Sequence, residues 1–161
     1  MNSTSGINPE LREKYEVTAF APATVANVVC GFDVFGFAVH APGDIVYMRK
    51  CSRPGIHILA IHGDGGRLPL ESDKNTAGVA VHSFLQQTGI ETGIELEIQK
   101  GLPLGSGMGS SAASSVAALV AINALTGKNL SKVELLPFAM EAERVACGSA
   151  HADNVAPALF G

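Results

Sequence analysis

The stretch GLPLGSGMGSSAASSV, residues 101–116, places glycines at alternate positions and then continues into serines and alanines without any charge. Gly105, Gly107 and Gly109 allow backbone dihedral angles that other residues disfavour, and successive N–H groups in such a loop form a nest for an anion. A helix that begins at Ser110 would add unpaired first-turn N–H groups and the positive end of its dipole. The pattern predicts an anion cradle, with a purely structural tight turn as the alternative.

Hydroxyl groups at the start of this helix extend the chemistry that the loop could support. Ser110 and Ser111 offer oxygen atoms, one of which could ligate Mg²⁺ beside a bound phosphate. The loop departs from two common phosphate-binding patterns. No lysine follows Gly109 as in a Walker A loop, and Ser110 occupies the last glycine position of GxGxxG. The phosphate hypothesis therefore needs support from the rest of the chain.

Length, composition and net charge limit the possible ligands. The chain has 161 residues, of which 47% are hydrophobic and 16% charged, as expected for one globular domain with a substantial core. Its net charge of −4 argues against nucleic acid or an anionic membrane as partners, because both require clustered lysine and arginine. A polyanionic ligand would then have to be held by backbone N–H groups or by a metal ion.

The cysteines and the N-terminal residues indicate a cytoplasmic protein with reduced thiols. Cys30, Cys51 and Cys147 are odd in number and show no CxxC spacing, and the chain does not open with the basic and then apolar segments of a signal peptide. Residues 101–127 carry no charge, but only residues 116–125 are densely apolar, which is too short for a membrane span. We therefore expect no membrane partner.

The elements that would position the loop follow an α+β order, with strands first and helices later. Alternating segments predict strands, and apolar residues at helical spacing between capping residues predict helices. The predicted strands cover residues 15–20, 35–40, 45–50, 55–63 and 93–100, and the predicted helices cover residues 75–88, 110–126 and the segment after the capping box of Ser131 and Glu134. We expect a mixed or antiparallel sheet packed against helices, in one domain over residues 15–161 that follows a flexible tail over residues 1–14.

Local signals set the boundaries of these elements. Ala41–Asp44 has the composition of a turn between two strands. Gly89 and Gly127 fit the C-caps of the first two long helices. Pro137 predicts a late start or a kink in the last helix, and residues 148–161 are predicted as a polar loop followed by an apolar stretch.

The complete string PLGSGMGSSAA, from Pro103 to Ala113, resembles the phosphate-binding motif of the GHMP kinases (galacto-, homoserine, mevalonate and phosphomevalonate kinases), P-x-x-x-G-L-G-S-S-A-A. Met108 replaces leucine, an exchange that keeps the apolar volume. The resemblance implies a strand–glycine loop–helix phosphate site with ATP as the ligand. The residues that it assigns to ATP are Asn75 near the base and Pro103, Leu104, Gly105, Ser106, Gly107, Met108, Gly109, Ser110, Ser111, Ala112 and Ala113.

Two further segments resemble the homoserine kinases within that family. APATVANVVCGFDVFGFAV, residues 21–39, is similar to their opening segment, although Val25 and Val29 replace the usual serine and glycine. HADNVAPALFG, residues 151–161, is similar to their HPDNVAPALLG segment, with Ala152 in place of proline. The resemblance implies phosphoryl transfer from ATP to the side-chain hydroxyl of L-homoserine, which yields O-phospho-L-homoserine on the route to threonine.

The same resemblance implies roles for individual side chains. The implied catalytic residues are Ser110, Glu143, Asp33 and Asn154, and the implied ligands of L-homoserine are Asn27, Asp33, His151 and Asn154. Ser110 and Glu143 would ligate Mg²⁺, and Asp33 would pair with the substrate ammonium. No dedicated general base is evident.

Each of these residues also has a structural interpretation. These alternatives are a turn cap for Asp33, a solvated helix face for Glu143, a left-handed turn for Asn27, a helix N-cap for Asn75 and a loop brace for His151. The remaining histidines have no metal-ligand spacing, and Cys30 is interpreted as a small apolar filler.

Homoserine kinases are longer than this chain, which resembles their N-terminal, ATP-binding portion without the C-terminal GHMP domain. An exposed inter-domain face could then support a homodimer. Two other functions stay open. One is a GHMP kinase that acts on mevalonate or a sugar, and the other is a nucleotide-binding protein of the same fold without turnover.

Overall fold

Three of the four described strands precede the long helices along the chain in the computed structural model, which describes residues 6–27, 35–148 and 151–161. The strands are β1 (Val17–Ala26), β2 (Gly36–Cys51), β3 (Ile56–His62) and β4 (Gly93–Gln99). The helices are α1 (Pro9–Lys14), α2 (Thr76–Thr88), α3 (Ser110–Thr126), α4 (Lys132–Cys147) and α5 (Ala152–Phe160). The predicted α+β fold class is confirmed.

The described strands form one mixed sheet in the order β1-β2-β4-β3. β2 pairs antiparallel with both β1 and β4, while β3 lies parallel to β4. A parallel pair requires a crossover connection, and α2 provides it. Because β4 lies inside the sheet, the glycine-rich segment that follows it leaves from the middle of the sheet and leads directly into α3.

A layer of helices covers one face of the sheet, and α3 lies at its centre. α3 packs against β1, β2, α2, α4 and α5. Alternation along β2 and β4 places apolar side chains on this face, and all of them are buried: Val46, Met48, Ile94, Leu96 and Ile98. None of the helices within the described ranges is both long and apolar enough to cross a membrane.

The other face of the sheet carries the N-terminal segment, which differs from its prediction. Residues 9–14 form α1 rather than part of a structureless tail. Ile7 and Leu11 pack against a small buried cluster of Tyr15, Ile45 and Tyr47. Contacts with the sheet therefore stabilise a helix that is too short to form alone, which is why the local pattern did not reveal it.

Glu97 of β4 holds the C-terminal end of α1 against the sheet. Its carboxylate accepts hydrogen bonds from the Tyr15 hydroxyl at 2.6 Å and from Lys14 Nζ at 2.8 Å, and His62 Nε2 lies 2.9 Å from it. Burial opposes ionisation of Glu97, but the hydrogen bonds from His62, Lys14 and Tyr15 outweigh it and lower the pKa of Glu97 to about 2. Burial, followed by the bond to Glu97, raises the pKa of Tyr15.

The predicted turn at Ala41–Asp44 lies inside β2, which runs without a break from Gly36 to Cys51. The turn-type residues produce an irregularity in the pairing instead. Pro22 pairs with Gly43 and Thr24 pairs with Ala38, so several residues of β2 stand opposite one residue of β1. The two predicted strands are therefore one strand with a bulge.

The C-terminal segment is also more regular than predicted, because α5 occupies most of the predicted loop. Pro157 lies inside this helix and has no N–H to donate to the Asp153 carbonyl. That carbonyl lies against Gly36 of β2, where a side chain would collide with it. α4 begins at Lys132, directly after its N-cap Ser131, so Pro137 does not delay its start.

The predicted helix caps are confirmed. Asn75 caps α2, and Ser131 and Glu134 form the capping box of α4. Gly89 and Gly127 adopt the left-handed conformation that ends α2 and α3.

We predict that Glu97→Gln reduces the acid sensitivity of the fold. The pKa of Glu97 is lower in the folded than in the unfolded chain, so the ionised carboxylate stabilises the fold above pH 4.5, and this stabilisation is lost as the pH falls towards 2. Because Lys14 and His62 are half-exposed, we expect this loss to be about 2 kcal/mol. Urea unfolding at a series of pH values measures it.

Glu13→Gln, which changes an exposed carboxylate of α1, is the control. The Glu97→Gln chain should lose less stability between pH 5 and pH 2 than the wild-type and control chains. Parallel losses in all three chains would contradict the prediction.

Candidate functional site

A cavity of about 610 Å³ opens where β4 leads into α3, within the size range of small-molecule sites. Its floor and one wall are formed by the glycine loop (residues 101–109) and the first turn of α3. The other walls come from the ends of β1 and β4, the segment before α2, α4 and α5. The lining residues are Ala26, Asn27, Leu68, Pro69, Lys74, Asn75, Thr76, Ile98, Lys100, Leu104, Gly105, Ser106, Gly107, Gly109, Ser110, Ser111, Ser114, Glu143, Val145 and Asn154.

The backbone of the glycine loop has the geometry that its sequence predicts. Gly105, Gly107 and Gly109 have φ values of 75°, 73° and 65°, in the region that favours glycine. A Cβ added to Gly105 or Gly107 would meet no atom within 4 Å, so both residues face open space at the cavity. Gly109 is the N-cap of α3, and no side chain among the described residues caps this helix. Its first-turn N–H groups are therefore available to an anion.

Gly109 has a second, steric reason to be glycine. A Cβ at this position would collide with the Thr24 hydroxyl and would lie 2.9 Å from Asn154 Oδ1. Thr24 is fully buried, donates a hydrogen bond to Asn154 Oδ1 at 2.7 Å and binds the Met108 carbonyl through its own N–H at 3.1 Å. β1, the glycine loop and α5 therefore meet at one point, which brings Asn154 to the cavity.

Glu143 and two serine hydroxyls lie on the α3 side of the cavity. The Ser111 hydroxyl donates to Glu143 Oε2 at 3.3 Å, and Glu143 itself is only 8% exposed. The Ser110 hydroxyl oxygen is buried and has no hydrogen-bond partner among the described residues. A carboxylate, a hydroxyl beside it and an unsatisfied hydroxyl are a hard oxygen donor set, which fits Mg²⁺. Because the Ser111 hydroxyl contacts Glu143, Ser111 is a third candidate ligand beside the predicted Ser110 and Glu143.

No group of three or more His, Cys, Asp or Glu side chains that could hold a metal ion occurs within residues 6–27, 35–148 and 151–161. A Mg²⁺ ion at Glu143 would therefore complete its coordination with hydroxyls, water and the oxygens of a bound phosphate. This division of ligands is usual for Mg²⁺, which keeps several waters and binds through one or two carboxylates.

Asn75 and Asp64 shape the opposite wall. Asn75 Oδ1 accepts from the Ala77 N–H at 3.0 Å, and its Nδ2 donates to the Pro69 carbonyl at 3.0 Å. Asp64 accepts from the N–H groups of Leu68 at 2.9 Å and Gly66 at 3.1 Å, and these bonds lower the pKa of Asp64. Asn75 is thus an N-cap that also lines the cavity. Its predicted contact with the base of ATP stays a prediction.

Lys100 and Asp44 form a buried ion pair under the glycine loop, and sequence reasoning missed both residues. Their side chains are 2% and 0% exposed. Burial lowers the pKa of Lys100, while the negative charge of Asp44 opposes that effect. The available signals were the position of Lys100 at the end of a strand before a charge-free segment and the aspartate in an apparent turn, and neither signal pairs the two residues.

Most of the residues predicted to form the site meet at this cavity. Those that line it are Asn27, Asn75, Leu104, Gly105, Ser106, Gly107, Gly109, Ser110, Ser111, Glu143 and Asn154. Asn27 has a φ of 60°, so its left-handed interpretation is confirmed. Asp33 lies outside the described residues, and its predicted contact with the substrate stays a prediction.

The remaining predicted residues lie outside the lining of the cavity. Ala112 and Ala113 are fully buried in the core, and Met108 packs against the core from the loop. Pro103 accepts a hydrogen bond from the Ser106 N–H at 3.3 Å, and His151 is the N-cap residue of α5. Their predicted roles in binding ATP or substrate stay predictions.

Comparison with known protein families agrees with this geometry. Residues 75–161 match the model of the GHMP kinases N-terminal domain, and they include α2, β4, the glycine loop, α3, α4 and α5. The chain therefore belongs to the GHMP kinase family.

Two homoserine kinases and one mevalonate kinase show how similar this chain is to individual proteins. The crystal structure of homoserine kinase from Cytophaga hutchinsonii is 58% identical and superimposes with a TM-score of 0.87, over 90% of this chain and 46% of that one. Homoserine kinase from Chloroherpeton thalassium is 52% identical over 91% of this chain and 49% of its own length. Mevalonate kinase of Methanococcus jannaschii, at 19% identity and a TM-score of 0.70 over 89% of this chain and 51% of that one, shares the fold.

This chain spans about half the length of the curated relatives that it matches. The matched half is their N-terminal half.

We predict that Gly109→Ala destabilises the chain more than Gly107→Ala does. Both glycines have positive φ values, so each substitution should cost about 1–2 kcal/mol in backbone strain. Only at Gly109 does the new methyl group also collide with Thr24, which should add about 1–3 kcal/mol. Urea unfolding at neutral pH measures both losses.

The steric origin is tested by adding Thr24→Ala to the Gly109→Ala chain. Removal of the hydroxyl should recover part of the additional loss. Equal destabilisation by the two glycine substitutions would contradict the prediction.

Proposed function

We propose that this chain is the ATP-binding part of a homoserine kinase, which transfers the terminal phosphoryl group of ATP to the side-chain hydroxyl of L-homoserine. The single observation that carries the proposal is the cavity at the start of α3. Left-handed glycines face the same space there as the start of α3 and the Ser110 hydroxyl, neither of which has a side-chain partner within the described ranges. The resemblance to homoserine kinases at 52–58% identity supports the choice of substrate.

ATP would bind with its phosphates against the glycine loop and the first turn of α3. Backbone N–H groups and the helix dipole then compensate the phosphate charge, as expected for a chain with a net charge of −4. Lys74 lines the cavity and pairs with Glu71 only at the surface, so its ammonium can turn towards a phosphate. Leu68 and Pro69, held by Asp64 and Asn75, offer an apolar wall for the base.

Mg²⁺ would be held by Glu143 together with Ser110 or Ser111, and the bound phosphates would complete its coordination. The ion would neutralise charge on the phosphates during transfer. Glu143 reaches the cavity from α4 and the serines from α3, so the contact between these helices sets the distance between the ligands. The Ser111 hydroxyl at present donates to Glu143, which keeps the carboxylate oriented towards α3.

L-Homoserine would occupy the side of the cavity formed by β1 and α5. Asn27 and Asn154 line this side and would orient the polar groups of the substrate, and Asp33 would pair with its ammonium. Thr24 fixes the Asn154 carboxamide by its hydrogen bond. Phosphoryl transfer depends chiefly on positioning and charge neutralisation, so these residues can support the reaction without a dedicated general base.

The product O-phospho-L-homoserine would place the protein in the cytoplasmic synthesis of threonine. The close alternative is a GHMP kinase that acts on another alcohol, such as mevalonate or galactose. These acceptors carry no ammonium group, so a side chain such as Asp33 would have no cation to pair with.

The function is tested by ATP-dependent release of ADP with L-homoserine, mevalonate and galactose as acceptors. The assay uses this chain and a chimera in which it is joined to the C-terminal half of the Cytophaga hutchinsonii relative. Of the three acceptors, we expect only L-homoserine to be phosphorylated. We expect this turnover in the chimera and none in the isolated chain. Turnover with another acceptor would replace the proposed substrate, and ATP binding without any turnover would favour a nucleotide-binding role.

We predict that Glu143→Gln abolishes the dependence of ATP affinity on Mg²⁺. Calorimetric titration of the wild-type chain should show tighter ATP binding with Mg²⁺ than with EDTA, and loss of the carboxylate should weaken Mg²⁺–ATP binding by about tenfold. Glu141→Gln is the matched control, because Glu141 lies on the same helix and its carboxylate pairs with Arg144 at the surface.

The control chain should keep the wild-type response to Mg²⁺. Equal behaviour of the Glu143→Gln and Glu141→Gln chains would exclude Glu143 as a ligand.

A further inference from the structure

The ion pair of Lys100 and Asp44 is the most completely buried pair of opposite charges among the described residues. Replacement of such a pair by apolar residues is often neutral or stabilising, so its presence is weak evidence for a role in stability. The steps proposed above do not use either charge. The hydrogen bonds around the pair indicate a different role.

Asp44 holds the start of the glycine loop. Its Oδ1 atom accepts hydrogen bonds from the N–H groups of Gly101 at 3.0 Å and Leu102 at 3.3 Å. These are the first two residues after Lys100, at the end of the sheet. The first turn of the loop therefore depends on a carboxylate that comes from β2.

Lys100 holds the other end of the loop. Its ammonium group donates to the Ser110 carbonyl at 2.9 Å, to the Ser114 hydroxyl at 2.7 Å and to Asp44 Oδ2. Ser114 in turn donates to Asp44 Oδ2 at 2.7 Å. All three N–H groups of the ammonium have protein partners, so Lys100 lines the cavity without a donor left for a ligand.

The backbone brings these groups together through glycines. Gly43 precedes Asp44, and a Cβ on Gly101 would collide with the Gly43 carbonyl. A Cβ on Gly43 would in turn collide with the Ala21 carbonyl of β1. The bulged part of β2 can therefore approach the start of the loop only because both positions lack side chains. This approach puts the Asp44 carboxylate directly under the loop.

We propose that Lys100 and Asp44 are positioning residues for the phosphate site, because together they tie both ends of the glycine loop to one buried point. Asp44 fixes where the loop begins, Lys100 fixes where α3 begins, and the attraction between them keeps the two ends together. The inference rests on the proposed function in that the loop is taken to bind the phosphates of ATP. The pair itself touches neither ATP nor substrate.

The test uses the double substitution Lys100→Met with Asp44→Asn, which removes both charges and leaves no lone buried charge. Glu97→Gln is the control, since it disrupts a buried carboxylate on the opposite face of the sheet. The first readout is amide hydrogen exchange at Gly101, Leu102 and Ala113. The second is the affinity for ATP compared with the affinity for adenosine, which lacks phosphates.

In the double variant, the three amides should exchange about tenfold faster, while amides of α2 and β4 keep their rates. Gly101 and Leu102 lose the charge of their acceptor on Asp44. The Ala113 N–H, which donates to the Gly109 carbonyl, lies in the helix turn that loses its bond to Lys100. ATP should bind about tenfold more weakly and adenosine within about twofold of wild type. The Glu97→Gln chain should match wild type at these amides and in both affinities.

Unchanged exchange at the three amides, or an equal acceleration throughout the chain, would overturn the inference. An equal loss of ATP and adenosine affinity would also overturn it, because the effect would then not be confined to the phosphates. If the wild-type chain binds no ATP, the proposed function fails at its first step, and the exchange comparison alone decides the positioning role.

If the double variant does not fold, amide exchange in the Ser114→Ala chain tests the positioning role instead. This substitution keeps both charges and removes only the hydroxyl between them. We expect about threefold faster exchange at Ala113 with no change in α2. The same rate as wild type at Ala113 would overturn the inference.

Discussion

The close approach of α3 to the sheet is the constraint on which the rest of the structure depends. The side chains of its first two turns are small, and Ala112, Ala113, Ser114 and Ser115 are all buried. A larger side chain at these positions would force the helix away from β1 and β2, since protein interiors are packed without spare volume. Because the helix lies so close, its N-terminus opens into the cavity beside the end of β4, and the loop between them can be short.

This packing has an electrostatic consequence. Residues 101–127 carry no charge, so every charge near the start of α3 comes from another element. Lys100 comes from the end of β4, Asp44 from β2 and Glu143 from α4. Asp44 neutralises the positive charge of Lys100 under the loop. The backbone N–H groups and the helix dipole therefore provide the attraction for an anion. A backbone site of this kind binds phosphate with little dependence on the flexible side chains around it.

The sequence predicted the parts of the fold that local rules govern. Alternation identified β1, β3 and β4, and capping residues such as Asn75 and Ser131 identified where α2 and α4 begin. The glycine loop could be predicted because backbone positions with positive φ values are usually occupied by glycine, which the sequence shows directly. α1 and α5 could not, because each is short and depends on contacts with the sheet or with α4.

The same distinction applies to the candidate site. Residues within the glycine motif were predicted together because they are adjacent in sequence. Lys100 and Asp44 were missed because their pairing depends on the register of β2 against β4 and on the bulge opposite β1. Ser111 was offered only as a hydroxyl at the helix start, since the direction of each serine side chain is set by the rotation of α3 relative to Glu143.

Pro22 in β1 has a consequence for the behaviour of the whole molecule in solution. β1 forms one edge of the described sheet, and an exposed edge is a template on which a strand from another molecule can pair. Phe20, which lies in β1 near Pro22, is 43% exposed, so this edge also presents an apolar side chain to another molecule. Pro22 has no N–H group, and the register with β2 breaks immediately after it. An added strand could therefore follow β1 only as far as this proline, so Pro22, next to the bulge, shortens the edge on which another molecule can pair.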